Sequence, residues 1–289
     1  MRYLDAATTR EALPMLEAIS AMESAFSDDT EAPVRSLLGG SLFMPGRAGA
    51  FTGIKVVSVV PGQPAGIVAL FGSDGSPIGL VDGPELTKIR TGAASGLATR
   101  LLARPDAAVV AMLGAGALAA DQIAAIRAVR PIERVLVWSR SAERAETLAV
   151  LVGGIAVAKV SAALEEADIV CCATPATSPL FRDEWLRPDT HVNAVGAFRP
   201  EMAEVPAATL RRSFVVVDDR TAAAEEAGDL LQAGREADAT LAELLNGRLT
   251  RPPTGITVFK SVGIAPQDVA AGACALNRAR ELGLGLEFG

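Results

Sequence analysis

Histidine is almost missing from this chain: one residue, His191, in 289. A zinc centre built on several histidines is excluded. So is a Ser or Cys nucleophile served by one histidine while a second plays another part. His191 opens the strand-like run His191 to Val195, where a histidine is more often structural than catalytic. No metal site is expected. Cysteine is also sparse, with three residues: Cys171, Cys172 and Cys274. Two are adjacent in an apparent core strand and so point to opposite faces, which argues against a disulfide framework and for a reducing cytoplasm. There is no excess of basic charge: 27 Lys and Arg stand against 34 Asp and Glu, a net charge of −7 without a basic cluster. A nucleic-acid or anionic-membrane partner is therefore not expected. No apolar run has the length of a membrane span, and Met1 to Asp5 begins no apolar leader segment. Internal repeats and low-complexity segments are absent as well.

What is present is apolar mass. Half of the residues are hydrophobic, enough for a large core in one big domain or two. An amphipathic pattern predicts a helix from about Thr9 to Ala25. Strand-like runs follow at Phe51 to Val60, Gly66 to Phe71 and Pro77 to Val81, separated by the turns Pro61-Gly62-Gln63-Pro64 and Ser73-Asp74-Gly75-Ser76. A helix rich in Ala, Thr and Leu runs from about Pro84 to Ala103, and Arg104-Pro105-Asp106 reads as a boundary. From Ala107 strands and helices alternate, with strands at 109–113, 134–138, 155–158, 168–172, 191–195 and 213–217. That alternation predicts an α/β fold with a doubly wound parallel sheet. After a strand-like run from Thr257, a last helix from about Pro266 to Leu282 packs back on the N-terminal part. The parallel sheet at 107–264 is then an insert in a domain made of 1–106 and about 265–289.

The densest signal is Val109 to Ala119, a buried strand running into Gly114-Ala115-Gly116-Ala117-Leu118-Ala119 and then a helix. In a Rossmann dinucleotide site the first glycine makes the tight turn and the second lets the backbone approach the pyrophosphate. The small third residue keeps the helix close to the sheet, and the helix N-terminus faces the anion. The next strand ends Val137-Trp138-Ser139-Arg140-Ser141, with no acid before Glu143. An NAD site places an acid there for the ribose 2′-hydroxyl. Two hydroxyls and a guanidinium instead suit a 2′-phosphate, so NADP(H) is favoured and NAD(H) stays possible.

Further motifs stand in a fixed order. They are Phe43-Met44-Pro45, Gly53 to Ser58, Asp82-Gly83 with Leu86 to Ser95, Leu113 to Ala117, Val192 to Gly196, Asp218 with Glu226-Ala227-Gly228-Asp229, and Phe259-Lys260-Ser261-Val262-Gly263. In this order the chain resembles the ornithine cyclodeaminase/mu-crystallin family over nearly its whole length. The resemblance implies an α+β substrate-binding and dimerisation domain beside a Rossmann NAD(P) domain, and substrates that are small amino or cyclic imino acids. By position it implies Arg35, Lys55 and Arg90 as substrate residues. The chemistry agrees, since a carboxylate entering a partly dry cleft needs paired cations. The other reading of Lys55 and Arg90 is ordinary cations snorkelling from their elements. The implied cofactor residues are Thr91, Gly114, Ala115, Gly116, Ala117, Thr174, Val195, Ser261 and Gly263, beside Ser139, Arg140 and Ser141.

The chain departs from one branch of that family. The cyclodeaminases carry a catalytic Asp two residues after the glycine of the Val-Asn-Ala-Val-Gly segment; here that slot is Phe198. They also carry a Glu two residues before the Met of Met-Pro; here that slot is Leu42. Apolar side chains cannot handle the protons of a deamination. The form Gly196-Ala197-Phe198-Arg199-Pro200, followed by Glu201 and Glu204, is closer to the ketimine-reductase branch. The resemblance therefore implies a homodimeric, cytoplasmic NAD(P)H-dependent reductase of Δ1-pyrroline-2-carboxylate to proline, with Δ1-piperideine-2-carboxylate to pipecolate as a second activity. Lys55 is the expected proton donor, Arg90 and Arg35 the carboxylate clamps, and Met44 and Phe198 apolar wall. The alternatives are an ornithine cyclodeaminase, an alanine or N-alkyl-amino-acid dehydrogenase, and a non-catalytic small-ligand binder.

Overall fold

The computed structural model describes residues 1–60 and 65–289, and the chain divides into two units: 1–94 with 264–289, and 95–263. The turn expected at Pro61-Gly62-Gln63-Pro64 lies outside the described residues.

The first unit opens with β1 (Arg2–Leu4), α1 (Ala6–Ala12) and α2 (Met15–Ala25). Where the sequence pattern predicts one helix, there are two. Pro14 has no N–H to continue the ladder, and it drives Leu13 out of helical geometry to φ −125°, ψ 72°. The first helix also begins earlier than expected, because the Asp5 carboxylate accepts the Thr8 N–H at 2.8 Å and caps it.

Next come β2 (Thr30–Glu31), β3 (Ser36–Leu38), β4 (Ser41–Ala48), β5 (Phe51–Ser58), β6 (Gly66–Phe71) and β7 (Pro77–Asp82). Strands β4 to β7 form an antiparallel meander, β1 lies parallel beside β7, and β2 and β3 both pair with β4. Side chains alternate across it. On one face Met44, Lys55, Val68 and Val81 stand in register, all buried. On the other, Phe43, Val56 and Ile67 stand in register and remain partly exposed. A lysine thus occupies a core position of the covered face.

Helix α3 (Gly83–Leu102) follows. The division between the units falls inside it, after Ala94, ahead of the boundary expected at 106. Its last turns are fastened within the second unit. Asn193 donates to the Thr99 hydroxyl at 2.9 Å, and the Arg130 guanidinium donates to the carbonyls of Thr99, Arg100 and Ala103. Those carbonyls lie at the C-terminal end of the helix, where the ladder is running out of N–H donors, though Thr99 O also accepts the Ala103 N–H.

The second unit alternates strand and helix: β8 (Val109–Leu113), α4 (Ala119–Val129), β9 (Arg134–Trp138), α5 (Ala142–Val152), β10 (Ile155–Ala156), α6 (Val160–Leu164), β11 (Ile169–Cys172) and β12 (His191–Ala194). After these come α7 (Ala207–Arg212), β13 (Phe214–Val217), α8 (Arg220–Glu226), α9 (Gly228–Ala233), β14 (Ala239–Thr240), α10 (Leu241–Leu245) and β15 (Thr257–Lys260). The strands form one parallel sheet in the order β10-β9-β8-β11-β12-β15-β13-β14. This is the doubly wound α/β fold, with its switch in strand order between β8 and β11. The last strand in sequence, β15, wedges between β12 and β13, which strand spacing alone does not reveal. Cys171 packs in the core on one face of the sheet and Cys172 in the core on the other. His191 is fully buried, hydrogen-bonded to Thr257 and Asn193, and burial pushes its imidazole down to about 3. It is a structural residue.

The chain then returns to the first unit with α11 (Ala265–Leu282) and β16 (Leu286–Glu287), which pairs with β1. Helix α11 lies across β4, β5 and β6 and against α2. Its buried side is mostly alanine and glycine (Ala270, Ala271, Gly272, Ala273, Ala275), which permits close approach to the sheet. Among the described residues no helix is long and apolar enough to cross a membrane.

Candidate active site

Each unit presents its own candidate centre. In the first, three elements deliver charge to one point: β5 brings Lys55, α3 brings Arg90, and the first turn of α11 brings Gln267 and Asp268. All four side chains are buried. Lys55 Nζ lies 3.0 Å from both oxygens of Asp268, with Oδ1 as its hydrogen-bond acceptor, and 3.4 Å from Thr87 Oγ1. Arg90 Nε donates to Asp268 Oδ1 at 3.1 Å, and Arg90 Nη1 donates to Gln267 Oε1 at 2.5 Å. Burial pushes the Lys55 ammonium down to about 8. Asp268 opposes that fall, while the charges of Arg90 and Arg35 add to it. Arg35, just before β3, is half-buried.

The expected trio Arg35, Lys55 and Arg90 is therefore one electrostatic group, and Met44 stands beside Lys55 in the sheet register. Two buried cations, Lys55 and Arg90, share the Asp268 carboxylate, an excess that an incoming anion would neutralise. The snorkelling alternative does not hold for Lys55 or Arg90, whose charged ends meet buried partners instead of water. Asp268 and Gln267 escaped the sequence reading. An acid and an amide in the first turn of an otherwise alanine-rich helix read locally as ordinary first-turn residues.

In the second unit the centre is the C-terminal edge of the parallel sheet around the switch point. Gly114 sits at φ +116° and donates its N–H to the Trp138 carbonyl at 2.8 Å. A Cβ there would fall 2.8 Å from the Ala173 carbonyl oxygen, so only glycine makes this turn. Gly116 is different. It is exposed, and a Cβ would meet nothing nearer than 4.0 Å, which leaves room for a group to come up to its backbone. The N–H groups of Ala115, Gly116 and Ala117 make no main-chain hydrogen bond among the described residues. Helix α4 starts at Ala119. Open glycine backbone, free N–H groups and a helix N-terminus together fit a dinucleotide pyrophosphate.

The neighbouring strand ends are shaped by buried carboxylates. Glu204 accepts from Thr174 N and Oγ1 at 2.6 and 2.8 Å and from Gly196 N at 2.7 Å, tying β11 to β12. Asp218 accepts from Ser261 Oγ, Val262 N and Gly263 N at 2.9, 3.0 and 2.7 Å. Asp229 accepts the N–H groups of Glu204 and Val205 and pairs with Lys260 at 2.9 Å, both side chains fully buried. The Thr174 hydroxyl and the Ser261 hydroxyl, expected to face a cofactor, are thus donated to protein carboxylates. The Val195 N–H goes to the Cys172 carbonyl. After β9, Arg140 is exposed, Ser139 Oγ accepts the Ser141 N–H, and Ser141 caps α5 by accepting from Arg144 N. Thr91 belongs to the first unit and donates its hydroxyl to the Thr87 carbonyl. Phe198, in the second unit, is 44% exposed, with the Arg199 guanidinium 5.5 Å from its ring centre.

The model of the ornithine cyclodeaminase/mu-crystallin family matches residues 9–282. Among curated proteins the chain is 35% identical, over all of both chains, to the Δ1-pyrroline-2-carboxylate reductase of Bacillus cereus. It is 36% identical to the ketimine reductase mu-crystallin of Mus musculus, over 74% of this chain and 69% of that one. Among solved structures it superposes with TM-score 0.92, at 30% identity and over the full length of both chains, on the Thermococcus litoralis Δ1-pyrroline-2-carboxylate reductase in complex with NADH and L-proline.

Gly116→Ala tests the nucleotide centre. The added methyl has space, so the melting temperature should stay near wild type, while nucleotide affinity measured by fluorescence titration should fall at least about tenfold. Unchanged affinity would place the pyrophosphate elsewhere.

Proposed function

The chain belongs to the ornithine cyclodeaminase/mu-crystallin family, and from that premise we propose that it is an NAD(P)H-dependent reductase of cyclic ketimine acids. The preferred reaction is Δ1-pyrroline-2-carboxylate to L-proline, with Δ1-piperideine-2-carboxylate to L-pipecolate beside it. The observation that carries this reading is the buried cation group of Lys55 and Arg90, with Arg35 adding to its field, which has the charge to receive a small carboxylate. When bound, the dinucleotide supplies the hydride. Arg90 and Arg35 hold the carboxylate of the imino acid. Lys55, still largely protonated at neutral pH, carries a proton for the imine nitrogen. Met44 offers apolar surface to ring methylenes, and Phe198 is the second candidate for that part. The cyclodeaminase alternative lacks support in the same residues, since Leu42 and Phe198 have no proton to give or take.

The finer choice of nucleotide rests on Arg140, exposed at the end of β9 where an NAD site would hold an acid. The assembly rests on the open face of the first unit's sheet, where Phe43, Pro45, Ile54, Val56 and Ile67 stay partly exposed; a second copy of the chain would bury them. The two buried cysteines without disulfides support a reducing cytoplasmic setting.

Three measurements test these statements. Wild-type protein should oxidise NADPH with Δ1-pyrroline-2-carboxylate and release no ammonia from ornithine. Lys55→Met or Arg90→Met should lower kcat/KM by about tenfold to more than a hundredfold, the loss of one charged hydrogen bond at ~1.5–3 kcal/mol. Ammonia release, or near-normal reduction by both variants, would sink the assignment. For the nucleotide, KM should be lower for NADPH than for NADH, and Arg140→Ala should raise the first and leave the second nearly unchanged. Equal effects would mean that Arg140 meets no 2′-phosphate. For the assembly, light scattering at micromolar protein should give a dimer or a larger even species, and a monomer would refute the covered face.

A further inference from the structure

The reductase reading assigns work to Lys55, Arg90 and Arg35 and leaves Asp268 without any. Yet Asp268 is the acid that favours the Lys55 ammonium, and both buried cations end on it. Two positive groups within hydrogen-bond reach of one another's partner repel strongly where water is excluded. Without an anion between them they would part or shed a proton. Asp268 stands in the first turn of α11, where the helix N-terminus favours negative charge.

We propose that Asp268 is the positioning residue of the imino-acid site: its carboxylate gathers the Lys55 ammonium and the Arg90 guanidinium at one point and leaves a net positive charge that the substrate carboxylate completes. A second observation points to a ligand at the same place. Gln267 is fully buried, and its amide oxygen is taken by Arg90, which fixes its orientation. Its Nε2 then has no hydrogen-bond partner among the described residues. A buried donor of that kind is costly unless something accepts from it. Lys55 has three N–H groups, with Asp268 Oδ1, Asp268 Oδ2 and Thr87 Oγ1 within 3.0, 3.0 and 3.4 Å of its nitrogen. Asp268 Oδ2 is also without a hydrogen-bond donor among the described residues, though it lies 3.0 Å from Lys55 Nζ, and the Gln267 amide is the donor that a bound carboxylate would satisfy.

Asp268 also sets the protonation of Lys55. The groups that bear on Lys55 are Asp268, which favours the ammonium, and Arg90 and Arg35, which disfavour it, on top of burial. With the balance near 8 the ammonium persists at neutral pH and is lost as pH rises through that value. Remove the Asp268 charge and only burial and like charges remain, so Lys55 would lose its proton at a lower pH.

The inference rests on the imino-acid reading, and its test separates the two. The probe is pyrrole-2-carboxylate, a flat analogue that cannot be reduced here and does not titrate near neutrality. Its binding is followed by calorimetry from acid to alkaline pH with the full chain. Wild type should bind it with an affinity that falls as pH rises through about 8. Asp268→Asn should move that inflection to lower pH and weaken binding at neutral pH by about tenfold or more. Asp268→Glu, which keeps the charge but displaces it, should return the inflection toward wild type while leaving affinity severalfold weak. An unmoved inflection in Asp268→Asn would overturn the proposal. If that variant does not fold, Asp268→Glu decides alone: wild-type affinity there overturns it. A wild-type protein that binds the analogue but reduces no imine sinks the reductase reading and not this one. Failure of wild type to bind the analogue at any pH sinks both.

Discussion

One buried carboxylate governs how the first unit can hold charge. A lysine at a core position of a β-sheet is among the most expensive placements a sequence can make, because the ammonium loses its water. The cost is met by an acid delivered from the far end of the chain: Lys55 on β5 and Asp268 on α11 are 213 residues apart in sequence. The long C-terminal excursion, and the return of α11 across the sheet, are therefore conditions for the site. Arg90 completes it from α3, the helix that carries the chain out of the unit. Taking one partner from such a buried group costs on the order of 3–5 kcal/mol, so the same interaction that orients the cations also ties three elements together.

The second unit solves a related problem with backbone. A parallel sheet ends in loops whose N–H groups have no strand to pair with. Here buried acids accept them: Glu204 takes those of Thr174, Gly196 and Ala197, Asp218 those of Val262 and Gly263, and Asp229 those of Glu204 and Val205. Lys260 then neutralises Asp229. Two motifs that stand apart in sequence, Asp218 with Glu226-Ala227-Gly228-Asp229 and Phe259-Lys260-Ser261-Val262-Gly263, turn out to be the two halves of this arrangement. They hold the chain at the ends of β13 and β15, while the glycine turn after β8 keeps the N–H groups of Ala115, Gly116 and Ala117 without main-chain partners among the described residues.

The sequence carried the parts of the fold that depend on local pattern. The strands at 109–113 and 134–138, the glycine turn between them and the long last helix follow from apolar periodicity and Gly placement, and they stand within a residue or two of where those signals put them. Parts that depend on distant partners were not legible. The insertion of β15 between β12 and β13 leaves no local mark. Strand β4 contains Pro45 and Gly46, which argue against a strand by propensity, yet the pairing with β5 overrides them. The break at Pro14 was legible and was outweighed by the amphipathic pattern on either side. At the site the cations were visible because charge in an apolar strand is conspicuous. Their counter-ion was not, because a lone Asp near the start of a helix reads as an ordinary first-turn acid.

Why this arrangement suits reduction better than deamination follows from proton demand. A cyclic imine needs one proton at nitrogen and a hydride at carbon. A single buried lysine poised near 8 can provide the first and a dinucleotide the second. Releasing ammonia from a diamino acid needs further groups to move protons on and off two amines. In the slots where such groups would stand, this chain has Leu42 and Phe198, and Phe198 meets a guanidinium through its ring face. The acids nearby in sequence do not substitute for them: Glu204 is spent on strand-end N–H groups and Asp229 on a buried lysine. Asp268 is taken up by the Lys55 ammonium and the Arg90 guanidinium. What the chain keeps is a buried pair of cations, Lys55 and Arg90, gathered on one carboxylate.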